Sequence, residues 1–327
     1  MKFLLLTDTH IRGTNPQNRK DNFMNTLLNK IEEVLDIACR FNVDYVLHCG
    51  DIFDRPDVSP SIVREFILIF KKFPMPIFAV TGNHDIYAYN PDTVSRTMLG
   101  LLDSMGVVTL VNAQDKIFLE KNQLVVQLTG QPFHYDIDRR DRKIDYCIKK
   151  DAKANFAIHM VHGMLLKKPF FEGIPYTLID DILETEADLT FSGHYHSGYG
   201  LIELNQRYFL NPGSLVRINN SISELTRQPQ VVIAQFSLEG INFEFVKLKS
   251  ALPGEEVLDR EELCRRDYRE KKLIDFTQGI KSVGDIKSLN INEIIEKIAN
   301  ESKLSRPVVI EAIKRISAAQ ENLFQED

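Results

Sequence analysis

Paired cysteines are missing from this chain. Cys39, Cys49, Cys147 and Cys264 are scattered, with no CxxC among them. That spacing excludes a zinc knuckle and a disulfide framework, and a reducing compartment is the expected setting. Long apolar runs are missing too: no stretch approaches the roughly 18 residues that a membrane span needs. The N-terminal FLLL is too short for the apolar region of a signal peptide, and Asp8 follows at once. A soluble, cytoplasmic protein without membrane partners is expected. Net positive charge is absent as well, with a formal charge of -6 over 327 residues. A globally basic surface for nucleic acid is thereby excluded, although bound divalent cations reverse the sign at a local site. Internal repeats and low-complexity segments are lacking.

What is present is an ordinary globular composition, 43% hydrophobic and 26% charged. The length allows one large domain and a smaller one. Short apolar runs recur: KFLLLTD, DYVLHCGD, PIFAVTGNHD, LVVQLTG, NFAIHMVHG, DLTFSGHYH and RYFLNPGS. Between the first three lie helical patterns. Phe23, Leu27, Ile31, Val34, Leu35 and Ala38 fall at helical spacing in one. SPSIVREFILIFKKF repeats the pattern, with Ser59 placed to cap and Pro60 at the first helical position. The alternation predicts an α/β layered fold. QVVIAQFSLEGINFEFVKLK reads as a hairpin turning at Leu-Glu-Gly. At Ala251 the character changes to a largely helical tail with 16 Asp and Glu against 13 Lys and Arg. Two domains are expected, 1–250 and a C-terminal extension over 251–327.

Polar residues collect where the apolar runs stop. Asp8 and His10 form DxH after the first run, and Asp51 lies in GDIFD after the second. Asn83 and His84 follow the third in VTGNHD, with Asp85 placed to fix that loop. His162 stands in VHG, and His194 and His196 form GHYH. In α/β sheets, ligands gather beyond the carboxyl ends of strands, so these groups can converge. Carboxylate, imidazole and amide oxygen together suit manganese, iron or zinc better than calcium. One carboxylate, most naturally Asp51, can bridge two ions, which two-metal hydrolases hold about 3.5–4 Å apart. Such ions polarise a phosphoryl oxygen and acidify a bridging water. Alone, a DxH is more often a turn, and a histidine beside a strand is more often a hydrogen-bonded core residue. It is the whole series, in this order, that is hard to obtain by accident.

The series DxH, GDxxD, GNHD, a histidine beside glycine, and GHxH resembles the pattern of the calcineurin-like metallophosphoesterases. That resemblance implies a sandwich of two mixed sheets flanked by helices. It implies one metal held by Asp8, His10, Asp51 and His196, and a second held by Asp51, Asn83, His162 and His194. His84 would sit by the scissile phosphate as a charge stabiliser or general acid, oriented by Asp54. Within the superfamily, residues 1–250 are most similar to the SbcD nucleases, the nuclease subunits of SbcCD DNA repair and recombination complexes. DTHIRGTNPQNRKDNF, GDIFDRPDVSP, NPDTVSRTMLGLLDSMGVV and NPGSLVR carry that narrower match. Archaeal and eukaryotic relatives have histidine where this chain has Asp54, which leaves the balance of exonuclease and endonuclease activity open.

The narrower resemblance implies a manganese-dependent exonuclease and single-strand endonuclease. Its partners would be DNA, a second copy of the chain, and an SbcC-like ATPase with a coiled coil. Homodimer contacts would come from the helices near residues 60–72 and 91–105, whose apolar positions otherwise simply pack on the sheet. DNA contacts are expected at Arg12, Arg19 and Lys20, which follow the DxH, and at Arg217 after NPGS. His48 and His159 read as core residues. The run DIDRRDRK after His134 reads as a solvated face, with phosphate contact by Arg139, Arg140 and Lys143 as the other possibility. In the tail, a helix pair over 281–327 reads as a docking element for the ATPase. A helix-turn-helix is the rival, and the acidic balance disfavours it. Two other functions stay open: a small-molecule phosphodiesterase or phosphatase, and a non-catalytic DNA-binding protein using the tail.

Overall fold

A computed structural model describes residues 1–259 apart from 172 and 220, together with 305–309 and 311. The chain divides into two compact units, Met1–Leu263 and Cys264–Asp327. The helix pair expected over 281–327 lies outside the described residues, apart from 305–309 and 311.

The first unit opens with strand–helix alternation. It runs β1 (Lys2–Leu6), α1 (Phe23–Arg40), β2 (Tyr45–His48), α2 (Pro60–Phe70), β3 (Ile77–Ala79), α3 (Met98–Ser104) and β4 (Thr109–Leu110). There follow β5 (Ile117–Lys121), β6 (Leu124–Gln131), α4 (Arg142–Tyr146), β7 (Phe156–Val161), β8 (Leu165–Leu166) and β9 (Thr177–Leu178). The unit ends with β10 (Leu189–Ser192), β11 (Gly200–Leu204), β12 (Arg207–Asn211), α5 (Ile222–Thr226), β13 (Gln230–Ser237), β14 (Gly240–Lys247) and α6 (Gly254–Val257). None of the described helices is long and apolar enough to cross a membrane.

The expected α/β sandwich of two mixed sheets is what the chain forms. One six-stranded sheet runs β14-β13-β1-β2-β3-β4, and the other runs β11-β12-β10-β7-β6-β5. β1, β2, β3 and β4 are parallel neighbours, as are β12, β10, β7 and β6, and each sheet carries antiparallel strands at its edge.

Side chains alternate along a strand, and β1 uses both faces. Phe3 and Leu5 point between the sheets, where they meet Leu47, Phe78, Ile158, Met160, Phe191 and Val232. Leu4 and Leu6 point outward to the helices, among Phe23, Leu27, Ile31, Val34, Val63 and Phe66. This two-sided burial explains why the central strands read as continuous apolar runs rather than alternating ones. Asn22 caps α1 by accepting from the Asn25 N–H at 3.0 Å. Pro60 starts α2 as expected.

The helical pattern over 91–105 is broken. Pro91–Arg96 forms a 3₁₀ turn, Thr97 is extended, and its hydroxyl caps α3. A hydroxyl that satisfies a free backbone N–H favours such a restart. The predicted hairpin is β13–β14, with Ser237 paired to Gly240 across the turn. Beyond residue 250 the chain stays on this unit: Ala251, Val257 and Leu258 are buried.

Candidate metal centre

The site lies where the carboxyl ends of the parallel strands of both sheets meet. Asp8 and His10 follow β1, Asp51 follows β2, and Asn83 and His84 follow β3. From the second sheet come His162 after β7, and His194 and His196 after β10. Asp8, His10, Asp51 and His194 all adopt left-handed backbone, with φ of 53°, 44°, 53° and 70°. That conformation is costly for residues with a Cβ and gathers at functional sites. Glycines allow the two layers to touch. A Cβ on Gly193 would collide with the Cys49 carbonyl and Thr7 Oγ1, and one on Gly50 with the His162 ring.

Two donor groups meet at Asp51. Donor atoms of Asp8, His10, Asp51 and His196 lie within 4.8 Å of one another, as do those of Asp51, His162 and His194. Asp51 Oδ2 is 3.7 Å from His10 Nε2 and 3.3 Å from His162 Nε2. The Asn83 amide oxygen joins the second group, 3.3 Å from His162 Nε2. Every metal-ligand candidate from the sequence is brought to one of these two groups.

The donor set fits a cation. His162 donates Nδ1–H to the Cys49 carbonyl at 2.7 Å, which turns its Nε2 toward two oxygens. His10 Nε2 faces His196 Nε2 at 3.0 Å. Around an ion with bonds of about 2.1 Å, ligands at right angles lie about 3.0 Å apart. Facing lone pairs at such separations repel unless a proton or a metal ion sits among them. Burial lowers His194 to about 3 and His196 to about 4, and holds His10 well below its usual value. Neutral imidazole is the ligand form. Burial opposes protonation of His162, but Asp51 beside it raises it to about 9. Burial would also raise Asp51, yet His162 and His10 hold it well below the carboxylate range.

The shell around the donors is ordered by the backbone. Asp8 accepts from Thr7 Oγ1 at 2.7 Å and from the His194 N–H at 3.2 Å. Asp51 Oδ1 accepts the His84 N–H at 2.9 Å. Asp85 fixes the GNHD loop, accepting from the N–H groups of Phe53 and Gly82 at 2.9 Å each. Ser214 donates to the Asp8 carbonyl at 2.8 Å, a contact that the NPGS motif alone does not announce.

Three expectations need correction. First, His84 is oriented by the backbone carbonyl of Asp54, which its Nδ1 meets at 2.8 Å. The Asp54 carboxylate goes instead to Arg12 at 3.1 Å and lies 3.7 Å from His10 Nδ1. Second, Arg19 and Arg217 are buried and cannot reach DNA from these positions. Arg19 grips Asp21 and the Arg217 carbonyl, while Arg217 donates to the carbonyls of Leu252 and Arg227. Lys20 is exposed and Arg12 half-exposed. Third, the DIDRRDRK run is only partly a solvated face. Asp138 accepts from Tyr146 and Thr177 at 2.6 Å each, and Arg140 donates to Asp145, which lies just beyond the run and also accepts from His134, at 3.0 Å each. Both acids are buried. The sequence signals for these buried acids were Tyr146 and His134 nearby, easily lost in a charged stretch. His48 and His159 are core residues as expected, bonded to Thr9 and to Thr129 with the Asp145 carbonyl.

A two-sheet sandwich with polyvalent donor loops at its carboxyl edge defines a class, and comparison with known proteins agrees. The chain belongs to the calcineurin-like phosphoesterase family, whose model matches residues 1–198. Among relatives, a DNA double-strand break repair protein Mre11 from Archaeoglobus fulgidus is 30% identical over 362 aligned positions, covering 99% of this chain and 78% of that one. The double-strand break repair protein MRE11 of Encephalitozoon cuniculi is 25% identical over 345 positions, covering 93% of this chain and 57% of that one. A Mre11 from Thermoplasma acidophilum is 32% identical over 109 positions, covering 32% of this chain and 27% of its own. This chain thus spans little more than half of the Encephalitozoon protein, and the segment aligned with the Thermoplasma protein covers about a quarter of that one.

Proposed function

We propose that the chain is a metal-dependent phosphodiesterase acting on DNA, the SbcD-like subunit of an intracellular end-processing complex. The observation that carries the hydrolase is the meeting of two donor groups at one carboxylate, Asp51. Relatives named as double-strand break repair proteins support DNA as the substrate.

Asp8, His10, Asp51 and His196 would hold one divalent ion, and Asp51, Asn83, His162 and His194 the other. The mix of imidazole with carboxylate and amide oxygen admits manganese, iron or zinc, and manganese is the ion we favour because the resemblance to the SbcD nucleases implies it. Such a pair supplies Lewis-acid polarisation of a phosphoryl group and acidifies water to attack near neutral pH. The chain's own residues do the rest. The Asp54 carbonyl holds His84 by Nδ1–H, which leaves Nε2 as the atom that gives or takes a proton at the leaving oxygen. Arg12, anchored on Asp54, offers a cation beside that histidine for a flanking phosphate. Exonuclease and single-strand endonuclease activity both belong to this reading. So do a homodimer through α2 and α3, which expose Leu68 and Leu101, and docking of the 251–327 extension on a coiled-coil ATPase. Light scattering of the isolated chain reads the dimer directly.

The test is digestion of end-labelled duplex and single-stranded DNA with manganese, magnesium or chelator, wild type beside His84→Asn. Manganese-dependent cleavage is expected in wild type, with a loss of about 10²-fold or more in the variant at unchanged metal content. Intact DNA with every metal, while a small chromogenic phosphodiester is hydrolysed, would refute the DNA substrate and leave the hydrolase.

A further inference from the structure

A pocket of about 210 Å³ opens beside the second donor group, lined by Asn83 and His194 on the metal side. Its wall is aromatic. The Phe133 ring lies 5.5 Å from the His194 ring and 5.5 Å from the Tyr89 ring, tilted by 43° and 58°, so a chain of ring contacts runs from the ligand histidine to the surface. Tyr135 lines the same pocket, with the Arg139 guanidinium over its ring at 5.1 Å. Tyr89 and Tyr135 are 50% and 62% exposed. Exposed aromatic faces gathered at one mouth mark a ligand-binding surface more than scattered ones do.

The backbone presents Tyr89 at a cost. Ala88 and Tyr89 have φ of 49° and 57°, and the turn is closed by Asn90 N–H donating to the Tyr87 carbonyl at 3.0 Å. Turns with two consecutive positive φ values normally use glycine or asparagine. An alanine and a tyrosine here hold a ring outward over Phe133. The volume limits what enters. It falls below the roughly 300 Å³ at which sites for drug-sized ligands begin, so one planar ring system fits and a base pair does not.

We propose that this pocket receives one unpaired nucleobase of the DNA strand, stacked on Phe133, Tyr89 and Tyr135 next to the phosphate presented to the donor groups. The inference rests on the reading of the centre as a nuclease and adds its specificity element. Stacking on aromatic side chains tolerates any base but requires that the base leave its duplex stack. Arg139 lies at the mouth for the base face or the adjoining phosphate. Single strands and frayed ends are therefore direct substrates, and a paired end reacts only after opening.

The test uses the full chain with short single strands carrying 2-aminopurine, or an abasic residue, scanned through the positions around the cut. In chelator, binding quenches 2-aminopurine fluorescence at one register, and the Tyr89→Ala/Tyr135→Ala double variant loses that quench with roughly tenfold weaker binding. The Tyr89→Phe/Tyr135→Phe variant keeps both. With manganese, wild type cuts the intact strand about tenfold faster than the strand abasic at that register, and the alanine variant cuts both at the slower rate. Equal cutting of intact and abasic strands, with no quench, would overturn the pocket and leave the nuclease standing. A register-specific quench without cutting of any strand would support the pocket and refute the nuclease.

Discussion

At the scale of single residues, this centre is built from groups that would be intolerable elsewhere. Buried carboxylates and imidazoles face one another because strand ends in left-handed backbone aim them inward. Histidines buried without a carboxylate partner carry a separate consequence for pH. His159 lies in β7, accepts from Thr129 and donates to the Asp145 carbonyl, and burial lowers it to about 4. Its unfolded value is about 6.5, so the folded chain binds fewer protons than the unfolded chain between those limits. Stability should therefore be full above about pH 6.5 and fall as the pH drops toward 4. The loss from this residue is at most on the order of 3 kcal/mol. Urea denaturation in chelator at pH 7 and pH 4.5 checks it: His159→Gln should lose less stability on acidification than wild type. An identical acid response in the two proteins would remove His159 from the account.

At the scale of elements, a segment without regular structure, 214–217, is held by cations. The Ser214 and Val216 carbonyls accept from Arg227, the Leu215 carbonyl from Lys30 at 2.9 Å, and the Arg217 carbonyl from Arg19 at 3.0 Å. The clamp matters because Ser214 also bonds the Asp8 carbonyl. Arg227→Met should leave the Ser214 carbonyl and the buried Glu224 carboxylate without their partner and cost about 3–5 kcal/mol, read as a lower urea midpoint with an unchanged slope. A midpoint equal to that of wild type would show the clamp to be dispensable. Motif neighbours alone point Arg19 and Arg217 toward DNA, because a sequence does not reveal whether a cation faces water or a carbonyl. The central strands were legible, since burial on both faces leaves unbroken apolar runs such as FLLL. β4 and the β8–β9 pair were not, being two residues each. β5 and β11 are half-buried edge strands with weak patterns. The break at Thr97 was missed because Val94, Met98, Leu101 and Leu102 keep helical spacing across it. Among site residues, donor identities were readable from strand-end motifs. Their second partners, the Asp54 carbonyl on His84 and the Cys49 carbonyl on His162, are backbone atoms that carry no sequence signature.

At the scale of the whole unit, each sheet supplies half of a centre and neither half is complete. β1, β2 and β3 bring Asp8, His10, Asp51 and Asn83, while β7 and β10 bring His162, His194 and His196. Metal binding should thus couple to the closing of the sandwich and stabilise the folded chain by mass action. The central claim is that two ions share Asp51. Calorimetric titration of the metal-free chain with manganese at neutral pH tests it most directly. Wild type should bind two ions per chain, His196→Gln should keep one, and Asp51→Asn should lose strong binding at both. Two tightly bound ions in Asp51→Asn, or a single ion in wild type, would contradict the shared centre.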